Sequence, residues 1–192
     1  MELLQVNNFS LDNYILTLGI FIFSYFLGAI PFGLIISKVF GLGNLRNVGS
    51  GNIGATNALR TGNKFIAYTT LILDITKAII PIIYIKLNSS ELLYITSLSV
   101  FLGHVFPLWL KFKGGKGVAV YVGILFSLNL IYGLVFITFW LLTFLISKYS
   151  SLSSIIASFA IPIFLIMINA VSYTHLRAHE TEADLVCRLL LE

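Results

Sequence analysis

Residues 14–37, YILTLGIFIFSYFLGAIPFGLIIS, form a predominantly apolar run without a charged side chain. A helix needs about 20 such residues to cross a bilayer, so this run predicts a membrane span. Comparable runs follow at residues 65–85, 92–110, 117–128, 130–147 and 154–171. The fourth segment is short and predicts a tilted or half-inserted helix. The sequence therefore predicts an all-α integral membrane protein, a polytopic helix bundle with about six membrane segments.

Composition supports the same class. The chain is 58% hydrophobic and 10% charged, with a mean hydropathy of +0.96, which leaves too little polar surface to cover a soluble globule. The single cysteine, Cys187, excludes an internal disulfide and a CxxC metal site. An acidic N-terminus with Glu2 and Asp12 indicates that no cleavable signal precedes the first span.

Basic residues are unevenly distributed between the two sides of the membrane. The side opposite the basic loops has the acidic N-terminus and Lys86, whose positive charge is balanced by Glu91. By the positive-inside rule, the N-terminus lies outside and the basic loops face the cytoplasm. We expect Lys86→Ala on the outer side to have no measurable effect. The basic residues that fall in alternate loops, on one side, are Lys38, Arg46, Arg60, Lys64, Lys111, Lys113, Lys116 and Lys148.

The first glycine-rich loop, GSGNIGATNALR, runs from Gly49 to Arg60. Its glycines permit close backbone approach, and Arg60 offers a guanidinium fork suited to phosphate. The alternative is an ordinary turn whose polar residues cap helix ends, but a turn needs only one or two such residues. The density of small and polar residues favours a phosphate cradle. Its short donors are Ser50, Asn52, Thr56 and Asn57.

The second glycine-rich loop, FKGGKGV, runs from Phe112 to Val118 and precedes a new apolar segment. Its glycines surround Lys116, which predicts backbone amides and an ammonium at a helix N-terminus, a favourable place for an anion. The loop lacks the GxxxxGK[ST] pattern, so nucleotide hydrolysis is not expected. Lys111 and Lys113 are interpreted as anchors whose ammonium groups reach the membrane surface.

Three features inside the apolar segments leave alternatives open. Pro31 frees a backbone carbonyl and indicates either a packing kink or a ligand role. Asp74 and Lys77 share a helix face, so they either pair with each other or support a cytoplasmic site. His104 is either a packing residue or orients the second loop. It is not half of an HxxxxD pair, because Trp109 occupies the aspartate position.

The loops contain no carboxylate, which limits the possible chemistry. Up to Val171 the chain has ten Lys or Arg and four acids, a balance of +6. A protein base is not evident, whereas a bound phosphate with a pKa of about 6 can accept a proton itself. Two other classes stay open: a membrane transporter of a phosphorylated solute, and a non-catalytic protein that binds anionic lipid.

Three motifs resemble one family. GSGNIGATNALR, GHVFPLWLKFKGGKGVA and KYSSLSSI, in this order, are similar to the bacterial acyl-phosphate:glycerol-3-phosphate acyltransferases, called PlsY, over about residues 14–171. The resemblance implies seven membrane helices with the N-terminus outside, in the bacterial inner membrane. It implies transfer of a fatty acyl group from acyl phosphate to the 1-hydroxyl of glycerol 3-phosphate, giving lysophosphatidic acid and inorganic phosphate. The reaction belongs to phospholipid biosynthesis and is substrate-assisted.

The resemblance also implies residue roles and partners. Ser50, Arg60 and Lys116 become the catalytic residues, without a metal or cofactor. The implied partners are glycerol 3-phosphate, acyl phosphate, membrane lipid and the enzyme that makes acyl phosphate, and nothing points to nucleic acid. The residues implied to complete substrate binding are Gly51, Asn52, Asn57, His104, Gly114, Gly115 and Ser151.

The C-terminal tail departs from the family pattern. Residues 172–192, SYTHLRAHETEADLVCRLLLE, are charged and replace the expected seventh helix. We expect a membrane acyltransferase domain at residues 1–171 and a tail that is non-native or disordered. We also expect the tail to lower the activity of the chain. His175 and His179 do not restore the family's C-terminal motif, so no role is transferred to them.

Overall fold

The computed structural model of this chain describes residues 11–168, with side chains from Tyr14 onward. Every regular element in this range is helical, which confirms the all-α class. Single 3-10 turns lie at Leu45–Asn47, Ser90–Leu92 and Leu108–Leu110. The α-helices are α1 (Leu11–Gly28), α2 (Phe32–Val39), α3 (Ala55–Leu59), α4 (Lys64–Asn88), α5 (Leu93–Val105), α6 (Val118–Leu128), α7 (Leu130–Ser147) and α8 (Ser150–Ile168).

Within residues 11–168, helices occupy all six predicted membrane segments. In the same range, five stretches are long and apolar enough to cross a bilayer: Tyr14–Val39, Lys64–Asn88, Ser90–Leu110, Leu130–Ser147 and Ser150–Ile168. The fourth predicted segment corresponds to α6, which has only 11 residues and is the short helix that the sequence indicated. The number of crossings and the side of the N-terminus stay predictions.

The first predicted span is broken rather than continuous. Helix α1 ends at Gly28 and α2 begins at Phe32, so Pro31 separates two helices. Two backbone carbonyls at the break accept hydrogen bonds from side chains distant in sequence. The Lys77 ammonium donates to Ile30 O at 2.8 Å, and the Trp109 indole donates to Ala29 O at 3.1 Å. A helix break at membrane depth is tolerated where protein groups satisfy the freed backbone, as they do at this position.

The first of two compact units extends to Gly133, and its helices pack through glycines. A Cβ at Gly28 would lie 2.2 Å from Val100 O, and one at Gly103 would lie 2.1 Å from Tyr25 O. Helix α1 therefore approaches α5 backbone to backbone, as membrane helices do at small residues. In the same way, a Cβ at Gly123 would lie 2.5 Å from Ile75 O, so α6 lies close to α4.

Lys86 has a structural contact that the sequence did not indicate. Its Nζ donates to Ser127 O at 2.9 Å and to Leu128 O at 2.8 Å, the last carbonyls of α6. A cation at a helix C-terminus donates hydrogen bonds to the last carbonyls and interacts favourably with the negative end of the helix dipole. This contact predicts that Lys86→Ala lowers stability, whereas the expectation that it leaves activity unaffected stays a prediction.

The second unit begins at Leu134. Within it, the Trp140 indole stacks on Phe144 and its Nε1 donates to Ser154 Oγ at 3.1 Å. This contact joins α7 to α8. The boundary expected at Val171 and the tail of residues 172–192 lie outside the described residues, so both stay predictions.

Candidate active site

The buried side chain of Asn57 holds the first loop together through hydrogen bonds to the loop backbone. Its side chain is 1% exposed, and its Nδ2 lies 2.9, 2.9 and 2.8 Å from the carbonyl oxygens of Leu45, Val48 and Asn52. Its Oδ1 accepts from the Ser50 amide at 3.0 Å and from Ser50 Oγ at 3.3 Å. The amide is thus engaged on both ends within the loop, which gives Asn57 a positioning role for Ser50.

Arg60 lies over the start of the same loop. A Cβ at Gly49, which has φ of +52°, would lie 2.6 Å from Arg60 Cδ and 2.8 Å from Arg60 Nη1. Only glycine leaves room for the guanidinium there and tolerates that backbone angle. The structure therefore brings Ser50, Asn57 and Arg60 together. Ser50 and Arg60 are exposed, while Gly51 and Asn52 are half-buried in the turn between them.

A direct contact joins the two loops. Arg46, three residues before Gly49, donates from Nη2 to the backbone carbonyl of Lys113 in the second loop. Because the donor is a guanidinium, this is a charge-assisted hydrogen bond, which is stronger than one between neutral groups. The two glycine-rich loops therefore meet on one side of the first unit.

The second loop uses its glycines differently from the sequence prediction. The amides of Gly114 and Gly115 donate to the carbonyls of Val105 and His104, at 3.0 and 3.1 Å. They are therefore not available to a substrate anion in this conformation, and the expected donor role of these two amides is corrected. Cβ atoms at these glycines would lie 2.0 Å from His104 O and 2.2 Å from His104 Nε2. Their function is close packing against His104.

Lys116 stands at the entrance to α6. Its side chain is exposed, and Gly117, with φ of +82°, is the N-cap of that helix. The first-turn amides of α6 follow directly, and such amides have no acceptor within their own helix. These amides, rather than those of Gly114 and Gly115, are the candidate backbone donors for an anion beside Lys116.

His104 belongs to a buried network. The Lys77 ammonium lies 2.7 Å from Asp74 Oδ1 and 2.9 Å from His104 Nδ1, and all three side chains are at most 5% exposed. The predicted pairing of Asp74 with Lys77 is confirmed. The alternative also has support, because the same ammonium reaches the histidine that packs under the second loop.

Ser151 is the one predicted site residue in the second unit. It is exposed and is the second residue of α8. Its role stays a prediction.

Sequence reasoning missed Arg46 and underestimated Lys77. Arg46 lies just before the first motif, and the short spacing to Gly49 was the available signal. For Lys77, the spacing to Asp74 indicated a partner on α4, but nothing in the sequence indicated contacts with Ile30 and His104.

The arrangement suits anionic ligands. Arg60, Lys116 and the Ser50 hydroxyl offer donors, and no Asp or Glu occurs between Gly49 and Arg60 or between Phe112 and Val118. A cationic site without an acceptor carboxylate stabilises negative charge and does not itself supply a base.

Comparison with solved structures supports this interpretation. One similar structure is the crystal structure of PlsY (YgiH), an integral membrane glycerol 3-phosphate acyltransferase, in its glycerol 3-phosphate form. It has a TM-score of 0.74 and 41% sequence identity, covering 79% of this chain and 77% of that one. The lysophosphatidic acid form of PlsY matches with a TM-score of 0.72 and 38% identity, covering 79% and 76%.

Sequence comparison gives the same result. A glycerol-3-phosphate acyltransferase of Pelagibacter ubique is 65% identical over 144 residues, 75% of each chain. One from Bartonella henselae is 49% identical over 165 residues, 83% of this chain and 76% of that protein. The family model for glycerol-3-phosphate acyltransferase matches residues 18–189, which extends into the segment expected to be a non-native tail. This integral membrane protein therefore belongs to the glycerol-3-phosphate acyltransferase family.

Proposed function

We propose that this protein transfers a fatty acyl group from acyl phosphate to the 1-hydroxyl of glycerol 3-phosphate. The hydroxyl oxygen attacks the acyl carbonyl carbon, the bond from that carbon to the phosphate oxygen breaks, and inorganic phosphate leaves. The product is lysophosphatidic acid. The reaction takes place at the cytoplasmic face of the inner membrane.

The strongest support is the position of Arg60 over Gly49, next to Ser50, in a loop that Arg46 ties to the loop of Lys116. Two anionic substrates need cationic groups from more than one element to hold both at once. The glycerol 3-phosphate and lysophosphatidic acid forms of the solved PlsY relative are in keeping with this substrate and product.

We assign the roles as follows. Arg60 and Lys116 hold the substrate phosphates and stabilise the oxyanion that develops on the acyl carbonyl. When substrate binds, the Ser50 hydroxyl exchanges its 3.3 Å hydrogen bond to Asn57 Oδ1 for one to a phosphate oxygen, while the Ser50 backbone amide stays bonded to Asn57. The first-turn amides of α6 add donors beside Lys116.

The proton of the attacking hydroxyl goes to the phosphate of glycerol 3-phosphate itself. A phosphate monoester has a second pKa of about 6, so its dianion is a competent base near neutral pH. This substrate-assisted step agrees with the absence of a carboxylate from both loops.

The decisive experiment uses membranes that contain the full chain, incubated with acyl phosphate and radiolabelled glycerol 3-phosphate. We expect label in the lipid fraction in proportion to the amount of protein, and release of inorganic phosphate at the same rate. Label that moves across the bilayer without entering lipid would instead indicate a transporter. Label in neither place, with the protein folded, would contradict the proposed reaction. A chimera carrying the C-terminal segment of the Pelagibacter ubique relative in place of residues 172–192 measures what the tail contributes.

A further inference from the structure

Two adjoining cavities lie between α1 and α4, at the end of α4 opposite Lys64. The first, here called the polar cavity, has a volume of about 370 Å³ and is lined by residues 16–17 of α1 and by residues 88–92, where α4 ends. The second, the apolar cavity, has a volume of about 430 Å³ and lies between residues 19–24 of α1 and residues 80–85 of α4. The two cavities therefore follow each other along the same pair of helices, and together we call them the α1–α4 cleft.

The apolar cavity suits a hydrocarbon chain. Apart from Ser24 and Tyr84, the residues that line it have no polar side-chain atom. A Cβ at Gly19 would have no heavy atom within 4 Å, so the space beside α1 is open. Both walls belong to stretches that are long and apolar enough to cross a bilayer, Tyr14–Val39 and Lys64–Asn88. Lipid rather than water surrounds such helices, so an acyl chain is the ligand that matches this cavity.

The polar cavity contains hydrogen-bonding side chains without partners in the described part of the chain. Within residues 14–168, the side chains of Ser89, Ser90 and Glu91 have no hydrogen-bond or ion-pair partner. Serine hydroxyls can donate to a phosphate oxygen, and a carboxylate can accept from an ammonium. The polar cavity can therefore hold both charges of a zwitterionic headgroup.

The charge around the polar cavity disfavours a purely anionic headgroup. Lys86 is the nearest basic residue along the chain, but its ammonium donates to the last two carbonyls of α6. Residues 1–13 contain two acids and no Lys or Arg. An anionic lipid would place its phosphate near Glu91 without a compensating cation, whereas a headgroup with an ammonium carries its own cation.

The length of the α1–α4 cleft matches one leaflet of a bilayer. Leu16 to Ser24 on α1 and Ile80 to Asn88 on α4 each correspond to a helical rise of about 12 Å. The hydrocarbon of one leaflet is about 15 Å thick, half of a bilayer core of about 30 Å. A phospholipid with its headgroup in the polar cavity therefore places most of one chain along the apolar cavity.

We propose that the α1–α4 cleft binds one phospholipid whose headgroup carries a primary ammonium. One acyl chain lies in the apolar cavity, the Ser89 and Ser90 hydroxyls donate to the phosphate, and the Glu91 carboxylate accepts from the ammonium. On the predicted orientation this is a lipid of the outer leaflet. The site lies at the other end of α4 from the glycine-rich loops, and its occupancy does not depend on the proposed reaction.

Blocking the apolar cavity identifies the lipid that belongs to the cleft. Native mass spectrometry counts the lipids that stay on the full chain after release from nanodiscs with equal amounts of phosphatidylethanolamine and phosphatidylglycerol. Gly19→Phe fills the open space beside α1 and should remove one lipid per chain. Leu18→Phe is the matched control, because Leu18 is an exposed neighbour on α1 that does not line the cleft, and it should retain that lipid.

Substitutions in the polar cavity test the headgroup. The lipid lost in Gly19→Phe should be phosphatidylethanolamine in preference to phosphatidylglycerol by about threefold, the size expected of one exposed ion pair. Glu91→Gln should remove this preference because the amide is uncharged, whereas Glu91→Asp should keep most of it. Combining Ser89→Ala with Ser90→Ala should lower retention of both lipids, because both contain the phosphate.

The proposal fails on any of three results. One is that Gly19→Phe and Leu18→Phe lose the same lipids, and another is a headgroup preference that is absent or that survives Glu91→Gln. The third is dissociation of a dimer by Gly19→Phe without loss of lipid, since the cleft would then hold a second copy of the chain. Melting temperatures show whether each variant folds, and the Glu91 comparison decides alone if Gly19→Phe does not. None of these measurements requires acyl transfer, so failure of the proposed function would leave this test intact.

Discussion

The roles proposed for Arg60 and Lys116 depend on their positive charge, so truncating either should affect catalysis far more than stability. Both side chains are exposed, and neither supports a buried core. Arg60→Ala and Lys116→Ala should each remove a contact to a substrate oxyanion and cost about 3 kcal/mol, or about a hundredfold in rate. The measurement is the initial rate of acyl transfer with each purified variant.

Lys64→Ala is the matched control for these changes. Lys64 is an exposed residue four positions after Arg60, at the start of α4. Its loss tests whether general positive charge at this face is sufficient, and we expect a rate within about twofold of the unchanged chain, since exposed charges are strongly screened. Equal losses in the Lys64 and Arg60 variants would contradict the assignment of Arg60.

Truncating Asn57, unlike truncating Arg60 or Lys116, should strongly lower the stability of the fold. Asn57→Ala leaves the carbonyls of Leu45, Val48 and Asn52 without their shared donor, and unsatisfied buried groups cost about 1–3 kcal/mol each. The melting temperature should fall by several degrees, and KM for glycerol 3-phosphate should rise because Ser50 loses its partner. Asn57→Asp keeps Oδ1 but removes the donor, so it should fold no better than Asn57→Ala.

The sequence predicts which residues belong to the candidate site better than it predicts what each side chain does there. The density of small and polar residues in the first loop predicts one cradle that contains Ser50, Asn57 and Arg60, and the structure brings these residues together. The distinction between the exposed Ser50 and the buried Asn57 depends on which backbone carbonyls the loop turns inward. The use of the Gly114 and Gly115 amides likewise depends on where α5 ends, which local sequence does not determine.

At the scale of elements, the close contact of α1 with α5 through glycines can be tested by alanine substitutions at those glycines. Gly28→Ala and Gly103→Ala each place a methyl group within 2.2 Å of a carbonyl oxygen on the facing helix, so α1 and α5 must separate. Such overpacking costs about 1–3 kcal/mol and should lower the melting temperature of the purified protein.

Gly19→Ala is the control on the same helix. A Cβ at Gly19 has no heavy atom within 4 Å, so it meets open space on α1. Removing a helical glycine should raise stability slightly, by about 0.5–1 kcal/mol. If the alanines at Gly19 and Gly28 destabilised the protein equally, close packing of α1 on α5 would be refuted.

Lys86 tests the capping of α6 from the end opposite Lys116. Lys86→Ala removes both donors from the Ser127 and Leu128 carbonyls and should cost about 1 kcal/mol, seen as a lower melting temperature. Lys86→Arg should recover most of the loss, because a guanidinium can reach two carbonyls. KM for glycerol 3-phosphate should stay unchanged in both variants, and a large rise would mean that α6 transmits strain to the second loop.

The elements themselves were largely predictable, since apolar runs of membrane length allow few alternatives to a helix. Pro31 lies at the break, but the sequence predicts one continuous span over residues 14–37 and leaves open whether the proline kinks it. What satisfies the broken backbone did not follow, because Lys77 and Trp109 come from segments distant in sequence and meet the break only after α4 and α5 pack.

At the scale of the whole molecule, the alternation of basic loops with neutral or acidic ones predicts the orientation. The proposed substrates are anions, and a site on the cytoplasmic side places both glycine-rich loops where such metabolites are available. The contact from Arg46 to the Lys113 carbonyl requires the two loops to share a side, which agrees with the charge pattern and constrains the topology independently of it.

The orientation is testable by labelling single cysteines with a membrane-impermeant thiol reagent. Cys187 is first replaced by serine, and one cysteine is then introduced at Lys64 or at Ser90, exposed residues near opposite ends of α4. We expect Lys64→Cys to react only in inverted vesicles and Ser90→Cys only in right-side-out vesicles, because the positive-inside rule places Lys64 in the cytoplasm. A reporter fused after residue 62 should independently give a cytoplasmic signal. If Lys64→Cys reacted from the outside, the loops would face away from the cytoplasmic substrates, and the proposed placement of the reaction would be wrong even with the site intact.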